Sequence, residues 1–328
     1  MAEKVTISVD ALGGDNAPQV VLDGVAEALA EDGDLSVILC GPAEGVEPFA
    51  ASHDRCVARA TTEEISMAEH PANAVRKKKD SSIVVGCRLV KEGEAQGFFS
   101  AGSTGACLAA GTLVMGRIKG IARPALATLL PSPVKPVVLC DVGANADCKP
   151  EYLVQFAEMA SIYANKILGI AEPRVGLLNI GEEEEKGSQF AQEAHQLLKE
   201  KVPNFTGNAE GRDVLGGEFD VIVCDGFTGN VCLKTIEGTA KMLFKQIKGI
   251  MMSSFKTKIG ALMLKDGLKG LAASVDPDEA GGAPLLGVKG ACIVGHGSSG
   301  ARAIKNGVLA SARYVRSGMT EEIAAIAK

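Results

Sequence analysis

The chain repeats one local pattern four times: a short apolar run, a turn rich in glycine and small polar residues, and a segment of helical periodicity. The first copy pairs residues 5–9 with the turn 10–18, and the others lie at residues 98–105, 220–230 and 292–300. Glycine allows a sharp turn, and Ser, Thr, Asp or Asn caps the next helix, whose free N–H groups attract anions. Four such turns together predict a phosphate or oxyanion site, although any one of them alone is more simply an ordinary strand-to-helix connection.

Strand-like and helical segments alternate along the sequence. Strands are predicted at residues 5–9, 35–40, 55–60, 96–100, 126–130, 136–140, 174–180, 203–208, 220–224 and 291–295. Helices are predicted at residues 18–31, 72–92, 105–117, 150–168, 186–201, 230–252 and 300–317. This alternation predicts a three-layer αβα fold with a mainly parallel sheet and ligands at the carboxyl ends of the strands. We predict a single catalytic domain over residues 1–328.

The composition is that of a soluble globular protein, with 46% hydrophobic and 23% charged residues. No apolar run reaches the roughly 18 residues of a membrane span, and the first residues run directly into a strand. We therefore expect a cytoplasmic protein without a signal peptide. The net charge of −6 argues against broad nucleic-acid binding.

Cysteine and histidine usage points away from a metal site. The nine cysteines include no C-x-x-C pair, and the four histidines are dispersed, so the cysteines are predicted to be reduced core thiols. Phosphate-binding P-loop, zinc-protease and EF-hand signatures are missing from the sequence, and the first glycine-rich turn lacks the G-x-G-x-x-G pattern. We expect neither a metal nor a nucleotide cofactor.

Residues 238–272 break the alternation, because this long helical stretch contains no strand. Several glycines interrupt it, and we predict a protruding amphipathic helical hairpin. Apolar and basic residues interleave there, at Phe255, Lys256, Lys258, Ile259, Leu262, Met263 and Lys265, with a further lysine at Lys269. Such a segment suits an anionic membrane surface, whereas a subunit or domain interface explains it equally well.

Three residues are candidates for catalysis. Lys186 follows a strand and an acidic run, so it is placed to reach over the carboxyl edge of the sheet, or to pair with a nearby glutamate. His296 lies in a tight turn, where an imidazole can donate to an oxyanion or simply be satisfied locally. Asp225 follows a strand, where orienting a cation and capping a helix are equally expected roles, and the same two roles are open to Asp10 after the first strand. The run Arg76-Lys77-Lys78-Lys79 is most simply a solvated helix face.

Several long motifs occur in order along nearly the whole chain. They are residues 9–15, 74–79, 100–106, 116–120, 141–145, 174–179, 225–230 and 296–299. Together they make the sequence resemble the fatty acyl-acyl-carrier-protein:phosphate acyltransferase (PlsX) family, which makes acyl phosphate for phospholipid synthesis. Two residues depart from the family pattern: Asn16 stands where histidine is common and Ser103 where asparagine is common. Asn16 cannot titrate, but Ser103 can still bond an oxyanion.

The resemblance implies a Rossmann-like fold similar to isopropylmalate dehydrogenase and phosphotransacetylase, and a homodimer attached peripherally to the inner face of the cell membrane. In that family the attachment involves the helical hairpin, which favours a membrane role for residues 250–271. The resemblance implies acyl-carrier protein and inorganic phosphate as partners, and it allows contact with the downstream glycerol-3-phosphate acyltransferase. Carrier protein or membrane is expected to contact Arg76–Lys79 and the apolar and basic residues of 255–265.

The resemblance also gives the candidate residues their roles. Phosphate attacks the acyl thioester and expels the carrier thiolate, Lys186 neutralises phosphate, His296 donates to the oxyanion or thiolate, and Asp225 orients one of these cations. The expected anion-binding residues are Gly102, Ser103, Thr104, Gly105, Gly226, Thr228, Gly229, Asn230, Ser298 and Ser299. Three alternatives stay open: a phosphotransacetylase-like enzyme that uses acyl-coenzyme A, a nicotinamide-dependent dehydrogenase, and a non-catalytic membrane and carrier-protein scaffold.

Overall fold

Eleven strands form one sheet in a computed structural model, which describes residues 4–132, 134–274, 279 and 281–327. The side chains of residues 269 and 271–274, and thus the predicted cation of Lys269, lie outside the described part. The strands are β1 Val5–Asp10, β2 Leu35–Gly41, β3 Cys56–Ala60, β4 Gly97–Ser100, β5 Ala125–Leu130, β6 Val137–Cys140, β7 Val175–Leu178, β8 Phe205–Ala209, β9 Val221–Val223, β10 Ala283–Leu286 and β11 Ala291–Val294. All ten predicted strands are confirmed, with small shifts in their bounds.

Helices connect most of these strands. They are α1 Gln19–Glu31, α2 Ala43–Ala51, α3 Pro71–Lys77, α4 Ser82–Glu92, α5 Thr104–Ala110, α6 Pro150–Leu168, α7 Gln189–Lys201, α8 Gly226–Met251, α9 Phe255–Met263, α10 Lys265–Ser274, α11 Ala301–Arg316 and α12 Met319–Ile326. A π-helical turn, Gly111–Met115, extends α5. No helix of the described residues combines the length and the apolar character needed to cross a membrane.

The sheet consists of two parallel halves joined by antiparallel strands. Its order is β3-β2-β1-β4-β11-β10-β5-β6-β9-β7-β8. Strands β3, β2, β1, β4 and β11 are parallel, as are β6, β9, β7 and β8, whereas β10 and β5 make the antiparallel pairs between them. The predicted mainly parallel α/β sheet is therefore confirmed.

Apolar side chains fill both faces of the sheet. One buried cluster joins the sheet to α1, α6, α7 and α11, with Tyr314 and Phe156 among its largest members. The second cluster joins the opposite face to α3, α4, α5 and the start of α8. These two clusters make the three-layer αβα arrangement that the sequence predicts.

Three parts of the fold differ from the sequence prediction. The helix predicted over 72–92 is two helices, because Asp80 accepts hydrogen bonds from the Thr62 amide and hydroxyl at 2.9 and 2.6 Å. Helices α2 and α12 were not predicted. Strand β10 was not predicted either, since it is short and contains Pro284, which lacks the N–H of a typical strand residue.

The region predicted as a hairpin, 238–272, is helical but is divided into three helices. The end of α8 contacts α9, and α9 contacts α10. A capping box between Ser254 and Thr257 starts α9. No residue of α9 is buried, so the apolar side chains predicted for this region face outward.

Candidate active site

Three of the four glycine-rich turns meet in the first half of the sheet. The Asp15 amide donates to the carbonyl of Gly297 at 2.8 Å, which joins the first turn to the last. Gly14 has φ +116°, and a Cβ there would lie 3.1 Å from the same carbonyl. A Cβ at Gly13 would lie 2.9 Å from the amides of Ala101 and Gly102. The structure therefore brings these turns together, as the sequence predicts.

The remaining turn, at 225–230, reaches the same space from the second half of the sheet. Gly229 packs so closely that a Cβ would lie 1.9 Å from the carbonyl oxygen of Asp141, which explains why glycine occupies this position. Asn230 follows on α8 and lines the cavity between the two halves. All four turns thus border one region of the molecule.

That cavity has a volume of about 1090 Å³ and is lined mainly by apolar side chains. Its apolar walls come from β5 and its flanking residues and from α8: Leu126, Leu129, Leu130, Pro131, Leu233, Ile236, Ala240, Leu243 and Phe244. Its polar lining includes Thr104, Asn230, His296 and Ser299, all of which were predicted site residues. An apolar cavity with a few convergent polar groups is the usual form of a small-molecule site.

His296 is exposed at the cavity wall and is held by its own turn. The Ser298 amide donates to its Nδ1 at 3.3 Å, and the Ser298 hydroxyl lies 2.8 Å from the same atom. Because an amide can only donate, Nδ1 is the acceptor and the neutral imidazole carries its proton on Nε2. The side chain is therefore equipped to donate one hydrogen bond from Nε2.

Asp225 is the N-cap of α8. Its Oδ1 accepts from the Thr228 amide at 2.8 Å and its Oδ2 from the Thr228 hydroxyl at 2.7 Å. These contacts show that Asp225 caps the helix, which is one of the two roles expected for it from the sequence. Asp225 and Thr228 are not part of the cavity lining among the described residues.

No described hydrogen bond or ion pair joins Lys186 to the other predicted catalytic residues. It is exposed in the turn between β7 and α7, where its amide donates to the carbonyl of Glu183 at 3.1 Å. The described cavity lining does not include it, and no ion pair to it is found within the described ranges. Its proposed contact with phosphate thus has no support from the side-chain position in this structure.

Some of the other predicted anion-binding residues line the cavity, and the others support neighbouring residues from behind it. Ser103 is buried and caps α5, since its hydroxyl accepts from the Ala106 amide at 3.4 Å. Gly105 packs on α3, because a Cβ there would lie 2.5 Å from Cγ of Pro71. Ser298 supports His296, whereas Thr104 and Ser299 line the cavity. Gly102 and Gly226 lie behind the lining, against Asp10 and Asp141.

Two lysines of α8 also line the cavity. Lys234 is paired with Glu237, with Nζ 2.9 Å from Oε2, and Lys241 lies two turns further along the same helix. The carboxylate of Glu237, which also lines the cavity, thus lies beside the charge of Lys234.

Two buried aspartates lie at the carboxyl ends of strands. From the sequence, Asp10 was expected to orient a lysine or to cap a helix, whereas Asp141 was assigned no role. Asp10 is the last residue of β1 and Asp141 directly follows β6. Burial raises the pKa of both carboxyl groups, while hydrogen bonds act in the opposite direction. Each accepts hydrogen bonds from the turn that follows its strand. A signal existed in the sequence, because in both cases an aspartate directly follows an apolar strand and precedes a glycine-containing turn.

The two predicted contact surfaces lie on separate elements. Within the run 76–79, Lys78 is engaged internally: Nζ lies 2.7 Å from Oε1 of Glu69 and 2.6 Å from the carbonyl of Glu64. The other three cations are exposed. On α9, Phe255 is 80% and Met263 83% exposed, with the neighbouring lysines also exposed.

Known proteins are similar to this chain in sequence and in fold. A family model described as "Fatty acid synthesis protein" matches residues 5–322. The chain belongs to the fatty acid synthesis protein family. Within it, a protein named phosphate acyltransferase from Desulfitobacterium hafniense (strain Y51) is 52% identical over 97% of this chain and 96% of its own length. Another of that name, from Heliobacterium modesticaldum, is 50% identical over 98% of this chain and 96% of its own length.

Solved structures place this member of the fatty acid synthesis protein family in a known fold. A phosphotransacetylase from Streptococcus pyogenes is similar with a TM-score of 0.62 and 16% identity, covering 94% of this chain and 93% of that one. A branched-chain phosphotransacylase from Enterococcus faecalis V583 has a TM-score of 0.60 and 14% identity, covering 95% and 99%. The predicted phosphotransacetylase-like fold is confirmed.

Proposed function

We propose that this protein is a phosphate acyltransferase that moves a long-chain acyl group from acyl-carrier protein to inorganic phosphate. The observation that carries the proposal is the cavity: an apolar wall along β5 and α8, bordered by the polar groups of Thr104, His296 and Ser299. The names of the relatives supply the reaction class. The product, an acyl phosphate, serves phospholipid synthesis.

The size of the cavity suits a long acyl chain. Its lining on α8 extends from Asn230 to Phe244, about 21 Å at the rise of an α-helix. One membrane acyl chain spans half of a hydrocarbon core about 30 Å thick, or about 15 Å. An extended chain of that length fits along α8 without leaving the lined region.

In the proposed reaction, a phosphate oxygen attacks the thioester carbonyl carbon and forms a tetrahedral oxyanion. Collapse of this intermediate breaks the carbon–sulfur bond, and the electron pair leaves with the carrier thiolate. Phosphate is already ionised and a thiolate is a good leaving group, so positioning and oxyanion stabilisation supply most of the catalysis. No covalent acyl-enzyme is required.

His296 donates from Nε2 to the oxyanion or the departing thiolate in this mechanism, and Thr104 and Ser299 add hydroxyl donors. The turns 102–105, 226–230 and 296–299 form the anion cradle. Lys186 is assigned to neutralise the charge of phosphate, and Asp225 holds the first turn of α8 while orienting a cation. No metal or cofactor takes part.

The carrier protein docks on the exposed cations Arg76, Lys77 and Lys79. Carrier proteins of this type are acidic, and α3 packs directly beside the turn that holds Thr104. Replacing the three cations by glutamate raises the KM for palmitoyl-carrier protein and weakens its salt dependence, whereas reversal of Lys256, Lys258 and Lys265 leaves this KM unchanged. An unchanged KM in the first variant contradicts the assignment.

Helices α9 and α10 attach the protein peripherally to the inner face of the cytoplasmic membrane. The support is the exposed apolar and basic side chains of α9, notably Phe255, Ile259, Leu262 and Met263. Phe255→Asp together with Met263→Asp is expected to abolish cosedimentation with vesicles that contain anionic lipid. Val57→Asp, at a side chain 59% exposed on β3, is the control that retains binding; equal binding by all three proteins contradicts the assignment.

The protein acts as a homodimer and passes its product to a glycerol-3-phosphate acyltransferase. Support for the dimer is the pair of exposed apolar side chains near the end of α8, Ile247 and Ile250, which lie outside the described cavity lining. Sedimentation equilibrium tests it, because a concentration-independent monomer mass contradicts a dimer. Transfer to a membrane acyltransferase follows from the reactivity of an acyl phosphate, which favours immediate use.

The donor is tested by comparing palmitoyl-carrier protein with palmitoyl-coenzyme A at equal concentration and the same phosphate concentration. Faster release of free carrier than of coenzyme A supports the proposal. A preference for coenzyme A instead indicates a phosphotransacetylase-like enzyme. Vesicle binding without either product indicates a scaffold.

A further inference from the structure

Asp141 gathers five hydrogen bonds at the carboxyl end of β6. Its Oδ1 accepts from the amides of Leu126, Gly143 and Ala144 at 3.0, 3.1 and 3.0 Å. Its Oδ2 accepts from the amide and from Nδ2 of Asn145 at 2.7 and 2.9 Å. The side chain is fully buried. Every partner is an N–H donor, so the ionised carboxylate is the form that serves all five.

Placing a buried negative charge here is costly, and the structure offsets it with amides rather than a cation. No ion pair to Asp141 occurs within the described residues, and burial raises the pKa of its carboxyl group. A neutral side chain would cap the turn with less desolvation. The arrangement therefore points to a requirement for several strong acceptor positions at this point.

The five donors connect Asp141 to two walls of the candidate active site. Leu126 belongs to the apolar wall of β5. Asn145 links Asp141 to α8, because the carbonyl oxygen of Asn145 accepts a hydrogen bond from the Gly226 amide at 2.7 Å. A Cβ at Gly226 would lie 2.8 Å from Oδ2 of Asp141, so the first residue of α8 packs directly on the carboxylate. A Cβ at Gly143, whose amide donates to Asp141, would lie 3.9 Å from the side chain of the cavity-lining Asn230.

We propose that Asp141 is a positioning residue for transfer to phosphate, which fixes the first turn of α8 and the β5 wall in the geometry that the reaction needs. The proposal rests on the proposed function, in which residues 226–230 form part of the anion cradle. Asp141 does not touch the substrate in this account. It acts through Asn145 and Gly226.

The test is Asp141→Asn, which keeps the shape of the side chain but turns an amide donor toward the donors of Asn145. We expect the KM for phosphate to rise by about tenfold or more, since small displacements of binding groups have effects of this order. The KM for palmitoyl-carrier protein should change less than twofold. Asn145→Ala, which removes only the side-chain contacts, should raise the phosphate KM by a smaller factor.

Asp220→Asn is the matched control. Asp220 is equally buried, but it is paired with Lys135 and Arg174 immediately before β9, outside the cavity lining. This variant should lower the Tm without changing the phosphate KM. A merely structural role for Asp141 predicts the same behaviour in both aspartate variants: a lower Tm, a smaller active fraction and unchanged KM values.

An unchanged phosphate KM in folded Asp141→Asn overturns the proposal. If that variant does not fold, an unchanged phosphate KM in Asn145→Ala overturns it. Failure of the proposed function gives a different result, because the wild-type protein then makes no acyl phosphate at any phosphate concentration.

Discussion

The hydroxyl of Ser100 donates a hydrogen bond of 2.7 Å to Oδ2 of Asp10, a residue 90 positions away in the chain. The same hydroxyl oxygen accepts from the Gly102 amide at 2.9 Å, and Oδ1 of Asp10 accepts from the Leu12 amide at 3.0 Å. Both side chains are buried at the ends of paired strands. This contact fixes the first two glycine-rich turns relative to each other.

Ser100→Ala should therefore reduce both stability and turnover. It leaves a carboxylate oxygen and an amide without their partner, at a cost of about 1 to 3 kcal/mol in unfolding free energy. Turnover should fall by about tenfold because the turn before Thr104 loses its anchor. Ser8→Ala is the control: Ser8 is buried on β1 and bonds the carbonyls of Gly86 and Gly97, so stability should fall while turnover per folded molecule stays the same. Chemical denaturation and initial rates measure both.

His296→Phe should lower kcat while leaving the melting temperature nearly unchanged. The imidazole is exposed and contributes little to the core, but loss of one oxyanion donor typically costs a factor of about 100 to 1000. His296→Gln, which retains an N–H donor, should recover part of the activity. Steady-state kinetics of both variants measure kcat. A kcat of His296→Phe equal to that of the wild type contradicts a donor role for His296.

Lys186→Ala should cripple turnover without affecting folding, because the side chain is exposed and the mechanism assigns it to phosphate. We expect a fall of at least about a hundredfold in kcat/KM for phosphate. Lys199→Ala is the control, since Lys199 is also exposed and pairs with Glu184 in the same region at 2.5 Å. Full activity of Lys186→Ala removes this residue from the mechanism.

Stability should depend on pH through Asp32, at the end of α1. The Arg316 guanidinium bonds this carboxylate at 2.6 and 3.2 Å and holds its pKa below the ordinary 3.8. A lowered pKa means that the pair stabilises the fold above pH 3.8, and that this contribution is lost as the pH falls through the folded-state pKa. Asp32→Asn should cost about 1 to 3 kcal/mol at neutral pH. Urea titrations should show this difference shrinking in acid, and a constant difference contradicts the assignment.

Ala240→Trp should select against long acyl chains. Ala240 lines the cavity on α8, so a bulky ring fills the space proposed for the chain, whereas Met242 lies outside the described lining. The variant should lose palmitoyl transfer but retain transfer of an acetyl group. Met242→Trp should retain both reactions. Equal loss of both substrates in Ala240→Trp indicates that the cavity does not hold the acyl chain.

Local pattern was sufficient to predict most of the fold. Alternating strands and helices carry their own periodicity, so β1 through β9 and β11 were recognisable from the sequence. Strand β10 was not, because residues 283–286 gain strand geometry only by pairing with β11 and β5 on either side. Its role as the join between the two halves is a tertiary property.

The candidate site was predictable only in part. The glycine-rich turns identified His296, Thr104, Ser299 and Asn230 as site residues, because each lies within or next to a turn that is recognisable from a few consecutive residues. The apolar cavity wall was not predicted as a site, since residues such as Leu126 and Phe244 resemble ordinary core or helix residues until both are seen to face one space. That Lys186 is not part of the described cavity lining could likewise not be inferred from the sequence.

The most direct measurement is acyl phosphate formation by purified protein from palmitoyl-carrier protein, with and without inorganic phosphate, detected by mass spectrometry. The account predicts palmitoyl phosphate and free carrier in equal amounts, both dependent on phosphate. Release of free palmitate at a rate independent of phosphate, or no product at all, contradicts it.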